Sequence, residues 1–401
     1  MKTYSAFILS IAAALSLASC EKENNGNDDN SNNTGNIIVS ENISENTTWT
    51  SEHVYQLGGR ITVLSGATLT IEPGTIIKGE AGTGPNATAL LVARGGRLMA
   101  EGLASAPIIF TSVADEITPE DVAAGNFGSP NLDPDINGLW GGVLILGKAR
   151  ISASNESGDV NEIQIEGIPT SDPNGLYGGN DDTDNSGVLK YLSIRHGGTN
   201  IGSGNEINGL TLGGVGSGTV IENIEIVANQ DDGIEWFGGT VNVKNVVVWN
   251  TGDDAIDTDQ SWGGTLDNFM IVAPGDHCFE LDGPEGTYEA GHTIKNGTVI
   301  ANDFDLERYS SDLINVDNNS MVDLQNIYFT AVNQGQQINR VTAAGVTFTD
   351  IMLDVPAENL SDYVNGDVPA GVTAGGAPQA KASDLGWTWA AQAGALSLQK
   401  R

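Results

Sequence analysis

A repeat of 22 to 23 residues runs through the middle of the sequence. Three segments rich in β-branched residues begin at Asn223, Asn245 and Asn268, and each is followed at a fixed offset by a second apolar segment. A repeat of this length, made of two or three short strands, is typical of one coil of a solenoid. Leucine-rich repeats have a similar length, but they need leucines at fixed spacing and a helical return, which this sequence lacks.

The rest of the sequence also predicts β-structure. Short alternating strands separated by Gly or Pro-Gly begin at residue 59, and 52 glycines without a collagen period indicate many tight turns. We therefore predict an all-β fold, a single-domain right-handed parallel β-helix over residues 37–353, in which the three asparagines stack as a ladder at a turn. Irregular repeat intervals predict inserted loops at 114–137, 167–186 and 304–312, and residues 354–401 are expected to form a loop and a C-terminal cap.

The first 36 residues have the features of an export signal and a tether. The apolar stretch from Ala6 to Ala18 is too short to span a bilayer, and it leads into Cys20 through small residues that resemble the lipobox of bacterial lipoproteins. Residues 1–19 are therefore predicted to be a signal peptide, and Cys20 is predicted to carry the lipid. Residues 20–36 contain mostly Asn, Asp, Gly and Ser, which predicts a flexible acidic tether.

The charge balance restricts the partners of the chain. Fifty-two acidic and 17 basic residues give a formal charge of -35, which disfavours nucleic acids and favours cations or neutral ligands. The chain has two cysteines, and with Cys20 assigned to the lipid, Cys278 has no disulfide partner.

The second segment of each repeat carries the candidate site. If Ile234, Ile256 and Phe279 point inward, their neighbours point outward, because side chains alternate along a strand. This places the outward residues in two files, Glu235, Asp257 and Glu280 in the first, and Phe237, Asp259 and Asp282 in the second. Adjacent carboxylates at this spacing repel each other by roughly 3 to 4 kcal/mol before water and salt relax the interaction.

Three interpretations of these acids remain open. In the first, the Asp-Asp turns cap backbone N–H groups and the outer carboxylates are solvated. In the second, the face binds Ca²⁺, a hard cation that prefers oxygen ligands, and the predicted ligands are Asp257, Asp259, Glu280 and Asp282, or the Asp-Asp turns. In the third, the face is catalytic.

A local similarity supports the catalytic interpretation. Thr251-Gly-Asp-Asp-Ala-Ile256 is similar to the Gly-Asp-Asp motif of polygalacturonase-like β-helix glycosidases, which also place an acid one coil before it and a histidine one coil after. The similarity implies that Asp232, Asp253, Asp254 and His277 act as acid and base on a glycosidic bond. The sequence departs from that family because it lacks the Gly-His-Gly and Arg-Ile-Lys motifs.

Aromatic residues accompany the acids. Phe237, Trp249 and Trp262 are predicted either to form a platform on which a sugar ring stacks or to cover the coil.

A wider resemblance covers most of the chain from about Val54. The lipobox, the acidic tether, Ser65–Gly74, Tyr191–Gly198 and the Asp-Asp motifs together resemble a family of Bacteroidota right-handed parallel β-helix surface lipoproteins. The resemblance implies attachment to the outer membrane through the lipid, facing the cell exterior, but it implies no settled activity.

We therefore expect a lipid-anchored surface protein that binds an extracellular polymer or nutrient, such as a polysaccharide, beside an outer-membrane transporter. The alternative is a polysaccharide-cleaving enzyme, a glycoside hydrolase or lyase, that uses the Asp253 and Asp254 face. The two differ in geometry: an enzyme needs carboxyl groups that converge across a groove, whereas a flat acidic and aromatic face is sufficient for binding.

Overall fold

The computed structural model describes residues 35–201 and 207–398. The predicted signal peptide, Cys20 and the tether up to residue 34 lie outside the described residues. Within the described residues, no helix has the length and apolar character needed to cross a membrane.

The described chain consists mainly of short strands. The strands are β1 (Ile37–Val39), β2 (Thr47–Trp49), β3 (Val54–Leu57), β4 (Arg60–Val63), β5 (Thr68–Ile71), β6 (Ile76–Gly79), β7 (Ala89–Val92), β8 (Arg97–Glu101), β9 (Ile108–Ser112), β10 (Val143–Leu146), β11 (Ala153–Asn155), β12 (Gly158–Val160), β13 (Ile163–Gln164), β14 (Leu176–Tyr177), β15 (Gly187–Arg195), β16 (Leu210–Gly213), β17 (Val220–Val227), β18 (Ile234–Phe237), β19 (Val243–Trp249), β20 (Ile256–Asp259), β21 (Thr265–Val272), β22 (Phe279–Leu281), β23 (His292–Ile300), β24 (Asn302–Asp303), β25 (Arg308–Tyr309), β26 (Asn315–Val316), β27 (Met321–Thr330), β28 (Gly345–Leu353) and β29 (Val372–Ala374). The α-helices are α1 (Pro119–Ala123) and α2 (Trp389–Gln392), and 3-10 helices cover Gly84–Asn86, Pro173–Gly175, Ala357–Tyr363 and Ala382–Asp384.

These strands form two parallel sheets that the chain visits in turn. The large sheet has 15 strands and contains β15, β17, β19, β21, β23, β27 and β28 as consecutive neighbours, while the small sheet has the order β26-β22-β20-β18-β16-β10-β7-β4. Each coil contributes one strand to the small sheet and one long strand, or two short ones, to the large sheet. The predicted all-β parallel β-helix is therefore confirmed.

The asparagine ladder is also present, at a bend inside the long strands. The Asn245 side-chain amide donates to Asn223 Oδ1 at 3.0 Å, and the Asn268 amide donates to Asn245 Oδ1 at 2.8 Å. All three residues have φ near +60°, a left-handed conformation that asparagine tolerates better than β-branched residues do. The same bend continues at Asn296 and Asn326, whose side chains are joined at 2.8 Å. These asparagines thus turn the long strands β17, β19, β21, β23 and β27 around a corner of the coil.

The interior of the coils is a continuous apolar core. Ile234, Ile256 and Phe279 are fully buried in it, as the alternation predicts. Trp236 and Trp262 stack inside the same core with ring centroids 4.7 Å apart.

Three segments lie outside the coils. Residues 114–137, predicted to be a loop, contain α1, whose first turn is closed by a capping box between Thr118 and Asp121. Residues 147–186 form an insertion with the hairpins β11–β12 and β13–β14, which packs on the outer face of the small sheet. The third segment is the C-terminal one.

The C-terminal segment, residues 379–398, runs back over the outer face of the large sheet, and we call it the strap. Its backbone N–H groups donate to Thr298 Oγ1, Asn268 Oδ1 and Glu225 Oε1 on β23, β21 and β17 in turn. Further along, the Gln392 amide donates to the carbonyl of Gly125 at 2.8 Å. The strap therefore crosses several coils, whereas residues 357–374 add β29 beside β28.

The strap covers a buried cation. Arg195 is fully buried, lies 4.9 Å from the Trp389 ring and pairs with the fully buried Glu225 at 3.9 Å. Asp182, in the insertion, pairs with Arg150. The partner of Arg195 comes from the neighbouring strand because register, not the inserted loop, brings the two side chains together.

The outer face of the large sheet carries a file of alternating charges. Successive strands align six residues of opposite sign, and Lys190 and Glu222 in this file form an ion pair at 3.5 Å. The file consists of Glu101, Lys190, Glu222, Lys244, Asp267 and Lys295. Opposite charges on adjacent strands stabilise the pairing register.

Candidate functional site

The small sheet carries a file of like charges at its outer face. Register pairs Glu235 with Asp257, Asp257 with Glu280, and Glu280 with Asn315. The sheet also pairs Phe237 with Asp259, and the backbone N–H of Asp282 donates to Thr258 at 2.7 Å, which continues the second file. The two files that the sequence predicts are therefore adjacent on one surface.

The turns that lead into these strands bring further acids to the same surface. We call the combined surface the acidic face. It consists of Glu235, Asp257 and Glu280 together with Asp231, Asp232, Asp253, Asp254, Asp276 and His277.

Two of the turn aspartates have a structural role. Asp232 Oδ1 accepts a hydrogen bond from the backbone N–H of Asp254 at 2.9 Å, and Asp254 Oδ1 accepts one from the backbone N–H of His277 at 2.6 Å. Asp312 Oδ1 continues the pattern with the N–H of Gln337 at 2.8 Å. Each carboxylate thus caps the backbone N–H of the equivalent residue in the next coil. For the buried member of each Asp-Asp pair, this agrees with the interpretation that the Asp-Asp turns cap backbone N–H groups.

His277 lies among three acids. Its Nδ1 is 2.9 Å from Asp254 Oδ1 and 3.9 Å from Glu280 Oε2, and its Nε2 is 3.7 Å from Asp276 Oδ1. Burial alone lowers the pKa of His277, but the hydrogen bond to Asp254 and the charges of Asp276 and Glu280 outweigh burial and raise the pKa to about 9. The imidazole is therefore cationic at neutral pH.

Four carboxyl groups of the face hold protons unusually tightly. Burial and then the charge of Asp257 raise the pKa of Asp232 well above its ordinary value, and burial and neighbouring acids do the same for Glu235 and Asp257. Burial, followed by a hydrogen bond to Asp254, raises the pKa of Glu280 to about 8. An arrangement of this kind is stabilised either by protons or by a bound cation.

The two sheets differ in how they compensate charge. The file on the large sheet alternates in sign, whereas Glu235, Asp257 and Glu280 follow one another with no opposite charge between them. Among the described residues, no Lys or Arg forms an ion pair with Asp232, Glu235 or Asp257. The chain therefore places opposite charges next to one another along the large sheet but like charges next to one another along the small sheet.

Four overlapping sets of side chains on this face could hold a metal ion. In each set the candidate ligand atoms lie within 4.8 Å of one another. The sets are Asp232, Glu235 and Asp257; Asp254, His277 and Glu280; Asp231, Asp232 and Asp253; and Asp253, Asp254 and Asp276.

Of the predicted calcium ligands, Asp257 and Glu280 each belong to one of these sets. Asp259 and Asp282 belong to none of the sets found among the described residues. Burial and then Glu285 raise the pKa of Asp259 to about 7, and burial and then Asp317 raise that of Asp282 to about 6. The candidate metal-binding sets in the structure therefore lie nearer to the turns that contain Asp232 and Asp254 than the predicted ligands do.

The predicted aromatic platform needs correction. Phe237, Trp249 and Trp262 are 6%, 4% and 1% exposed, so none offers a ring face to a sugar. Phe237 does point out of the coil, but the insertion covers it, with Tyr177 5.9 Å away. Trp249 is covered by Trp389 of the strap, and Trp262 belongs to the core. Of the two predictions, the sugar-stacking platform is therefore wrong, and the three rings pack against the coil instead.

Other polar residues complete the face and were not predicted. The Asn208 amide donates to Glu235, and its buried Oδ1 has no hydrogen-bond partner among the residues that the structure describes. Asn315 Nδ2 lies 3.3 Å from His277 Nε2 and 3.4 Å from Glu280 Oε1. Both residues occupy positions in the coils before and after the aligned repeats, so extending the alignment by one coil in each direction would have found them.

Comparison with known proteins gives one match. A family model described as a pectate-lyase-like beta helix domain matches residues 41–364. No curated protein and no solved structure matches the chain.

Proposed function

Since the chain belongs to the family of pectate-lyase-like beta helix domains, we propose that it binds an extracellular polysaccharide on the acidic face through a divalent cation. Glu235 and Asp257, adjacent carboxyl groups that no Lys or Arg of the described residues compensates, carry this proposal. The large sheet alternates charges, whereas the small sheet stacks like charges, which repel one another. A cation bound between these carboxylates would remove the repulsion.

The set formed by Asp232, Glu235 and Asp257 fits a cation best. Asp232 and Glu235 are 7% exposed, and the two carboxylates come from neighbouring positions of one coil while Asp257 comes from the next. The Oδ1 of Asn208, which accepts no hydrogen bond from any described residue, supplies a neutral oxygen beside Glu235. Carboxylate and amide oxygens are the ligands that Ca²⁺ prefers, and ligand hydroxyls or carboxylates would complete its coordination.

A thermal unfolding experiment tests the cation. In EDTA followed by excess Ca²⁺, we expect the melting temperature to rise by roughly 2 to 4 °C, the shift for a ligand at about 100 times its Kd acting on a chain of this size. The Asp257→Asn variant should lose this rise. In EDTA it should melt no lower than the wild type, because the substitution removes a repelling charge.

The matched control removes a carboxylate from the alternating file of the large sheet. Glu222→Gln should keep the full response to Ca²⁺, because Glu222 pairs with Lys190 and lies in the other sheet. An unchanged melting temperature of the wild type with Ca²⁺, Mg²⁺ and Mn²⁺ would refute the cation site, and the acids would then be proton-holding and capping groups.

A second candidate function, polysaccharide cleavage, is favoured by the surroundings of His277. The cationic imidazole lies 2.9 Å from Asp254, and the neighbouring Glu280 carboxyl has a pKa of about 8, so that it keeps its proton at neutral pH. Such a pair of environments suits general acid and base chemistry. Incubation with the polysaccharides that the protein binds, scored for new reducing ends, separates cleavage from binding alone.

The location of the protein completes the proposal. A lipid on Cys20 would place the β-helix at the outer surface of the outer membrane, where it would deliver polysaccharide to a neighbouring transporter. The support for this step is the sequence of the first 36 residues.

A further inference from the structure

A short hairpin projects from the coil turn beside the acidic face. The turn that contains Asp276 joins Ala273 to His277 within four positions. In the next coil the equivalent residues are Ala301 and Asp312, because Ala273 N–H donates to Ile300 and His277 pairs with Asp312. Those two residues are eleven positions apart, so the turn is seven residues longer there. The additional residues form the hairpin β24–β25.

The hairpin exposes large apolar side chains. Phe304, Leu306 and Tyr309 are 41%, 56% and 45% exposed, and they are three of the eight large hydrophobic residues that the described chain exposes. The ring centroids of Phe304 and Tyr309 lie 5.9 Å apart at an interplanar angle of 56°. Exposed apolar groups concentrated in this way mark a binding surface more often than isolated ones do.

The hairpin is fixed next to the turn acids. Arg308 Nη2 donates to the carbonyl of Thr251 at 2.8 Å, two positions before Asp253, and the N–H of Ser311 donates to the carbonyl of Asp276 at 2.7 Å. Inside the hairpin, Asp303 Oδ1 accepts the backbone N–H groups of Asp305 and Leu306. The two rings are thus held by the coils that also carry the acids.

We infer that Phe304 and Tyr309 form the platform on which a sugar ring of the bound polysaccharide stacks, next to the acids that hold its polar groups. This inference rests on the proposed function and names a further part of the same site. An aromatic ring accepts the apolar face of a pyranose, and the tyrosine hydroxyl offers a polar contact at its edge. Three side chains that are each about half exposed cover far less area than the roughly 800 Å² per partner of a stable protein interface, which favours a saccharide over a protein.

The test uses the full-length lipoprotein in detergent and two probes, polygalacturonate as an acidic polysaccharide and xylan as a neutral one. In the presence of Ca²⁺, the Phe304→Ala/Tyr309→Ala variant should bind the polysaccharide retained by the wild type about tenfold more weakly, measured as Kd by affinity electrophoresis. The Phe304→Tyr/Tyr309→Phe variant keeps both rings and should bind within twofold of the wild type. Leu103→Ala, at another exposed apolar residue, should do the same.

The outcomes separate the two proposals. If the double alanine variant binds within twofold of the wild type, the platform is refuted and the proposed function stands. If the wild type binds neither polysaccharide while Ca²⁺ still raises its melting temperature, polysaccharide binding and the platform both fail. A change in sedimentation of the double variant without a change in Kd assigns the hairpin to a protein contact and also overturns the inference.

Discussion

At the scale of single residues, Glu280 of the acidic face and the neighbouring Asp259 and Asp282 make stability depend on pH. The pKa values of Asp282, Asp259 and Glu280 are raised to about 6, 7 and 8. Each group binds its proton more tightly in the folded chain than in the unfolded chain, whose carboxyls titrate near pH 4. The folded state therefore holds more protons between about pH 4 and 8, and the free energy of unfolding falls as the pH rises through this window.

His277 acts in the same direction at higher pH. Its pKa of about 9 exceeds the ordinary value of 6.5, so the stability it contributes is complete below pH 6.5 and is lost as the pH rises through 9.

We expect the melting temperature in EDTA to decrease steadily from pH 5 to pH 8.5, as measured by circular dichroism. Glu280→Gln should make the decrease smaller, because that side chain no longer titrates. Ca²⁺ should also make it smaller, since the cation replaces the protons. A melting temperature that is constant or increases with pH in EDTA would contradict the protonated face.

The positions of the acids could be predicted from the sequence at this scale, but the solvent exposure of the aromatic rings could not. Alternation along a strand places Glu235 and Phe237 on the outer side of the same coil, and both side chains do point out. Whether an outward residue meets solvent depends on segments far away in sequence. Residues 147–186 cover Phe237 and Trp389 covers Trp249, and no local pattern contains that information.

At the scale of elements, the asparagine ladder fixes the corner of each coil. Asn245→Ala should destabilise the protein by about 2 to 4 kcal/mol, because alanine is strained at φ +59° and both amide hydrogen bonds are lost. Asn245→Gly loses the same hydrogen bonds without the strain, so its loss should be about half as large. Chemical denaturation measures both.

The exposed Asn242 in the turn before this strand provides the control, and Asn242→Ala should change stability by less than about 0.5 kcal/mol. Equal losses for the alanine and glycine variants of Asn245 would show that the left-handed backbone carries no cost.

The repeat predicted the ladder because equivalent residues of a solenoid must stack. It did not predict that the ladder lies inside a strand. The origin of the bend is seen in β15. Its two halves, on either side of Tyr191, pair with the separate strands β8 and β9. Two short strands of early coils merge there into one bent strand, and the sequence gives no sign of that merger.

At the scale of the whole molecule, the proposed lipid on Cys20 would determine where the β-helix resides. Cys20→Ser should release the protein from the membrane fraction, because the acyl chains would supply the attachment. The control is Cys278→Ser, which alters a buried thiol near Ser310 and should leave the protein in the membrane fraction. Fractionation followed by immunoblotting measures both, and membrane retention of Cys20→Ser would refute lipid anchoring.

Short strands, glycine-rich turns and a fixed repeat were sufficient to predict the parallel β-helix. The path of the strap was not predictable from the same pattern. Residues 379–398 have weak periodicity, and their partners, such as Thr298 and Glu225, are 82 and 165 positions away in the chain.

The strap also affects how the protein unfolds. In a simple solenoid each coil contacts only its neighbours, so end coils can fray while central coils remain folded. Here one segment is hydrogen-bonded to β23, β21, β17 and Gly125, just beyond α1, in succession. Detaching the strap breaks contacts with several coils at once. The strap therefore couples distant coils, and we expect these coils to lose their structure cooperatively rather than one after another.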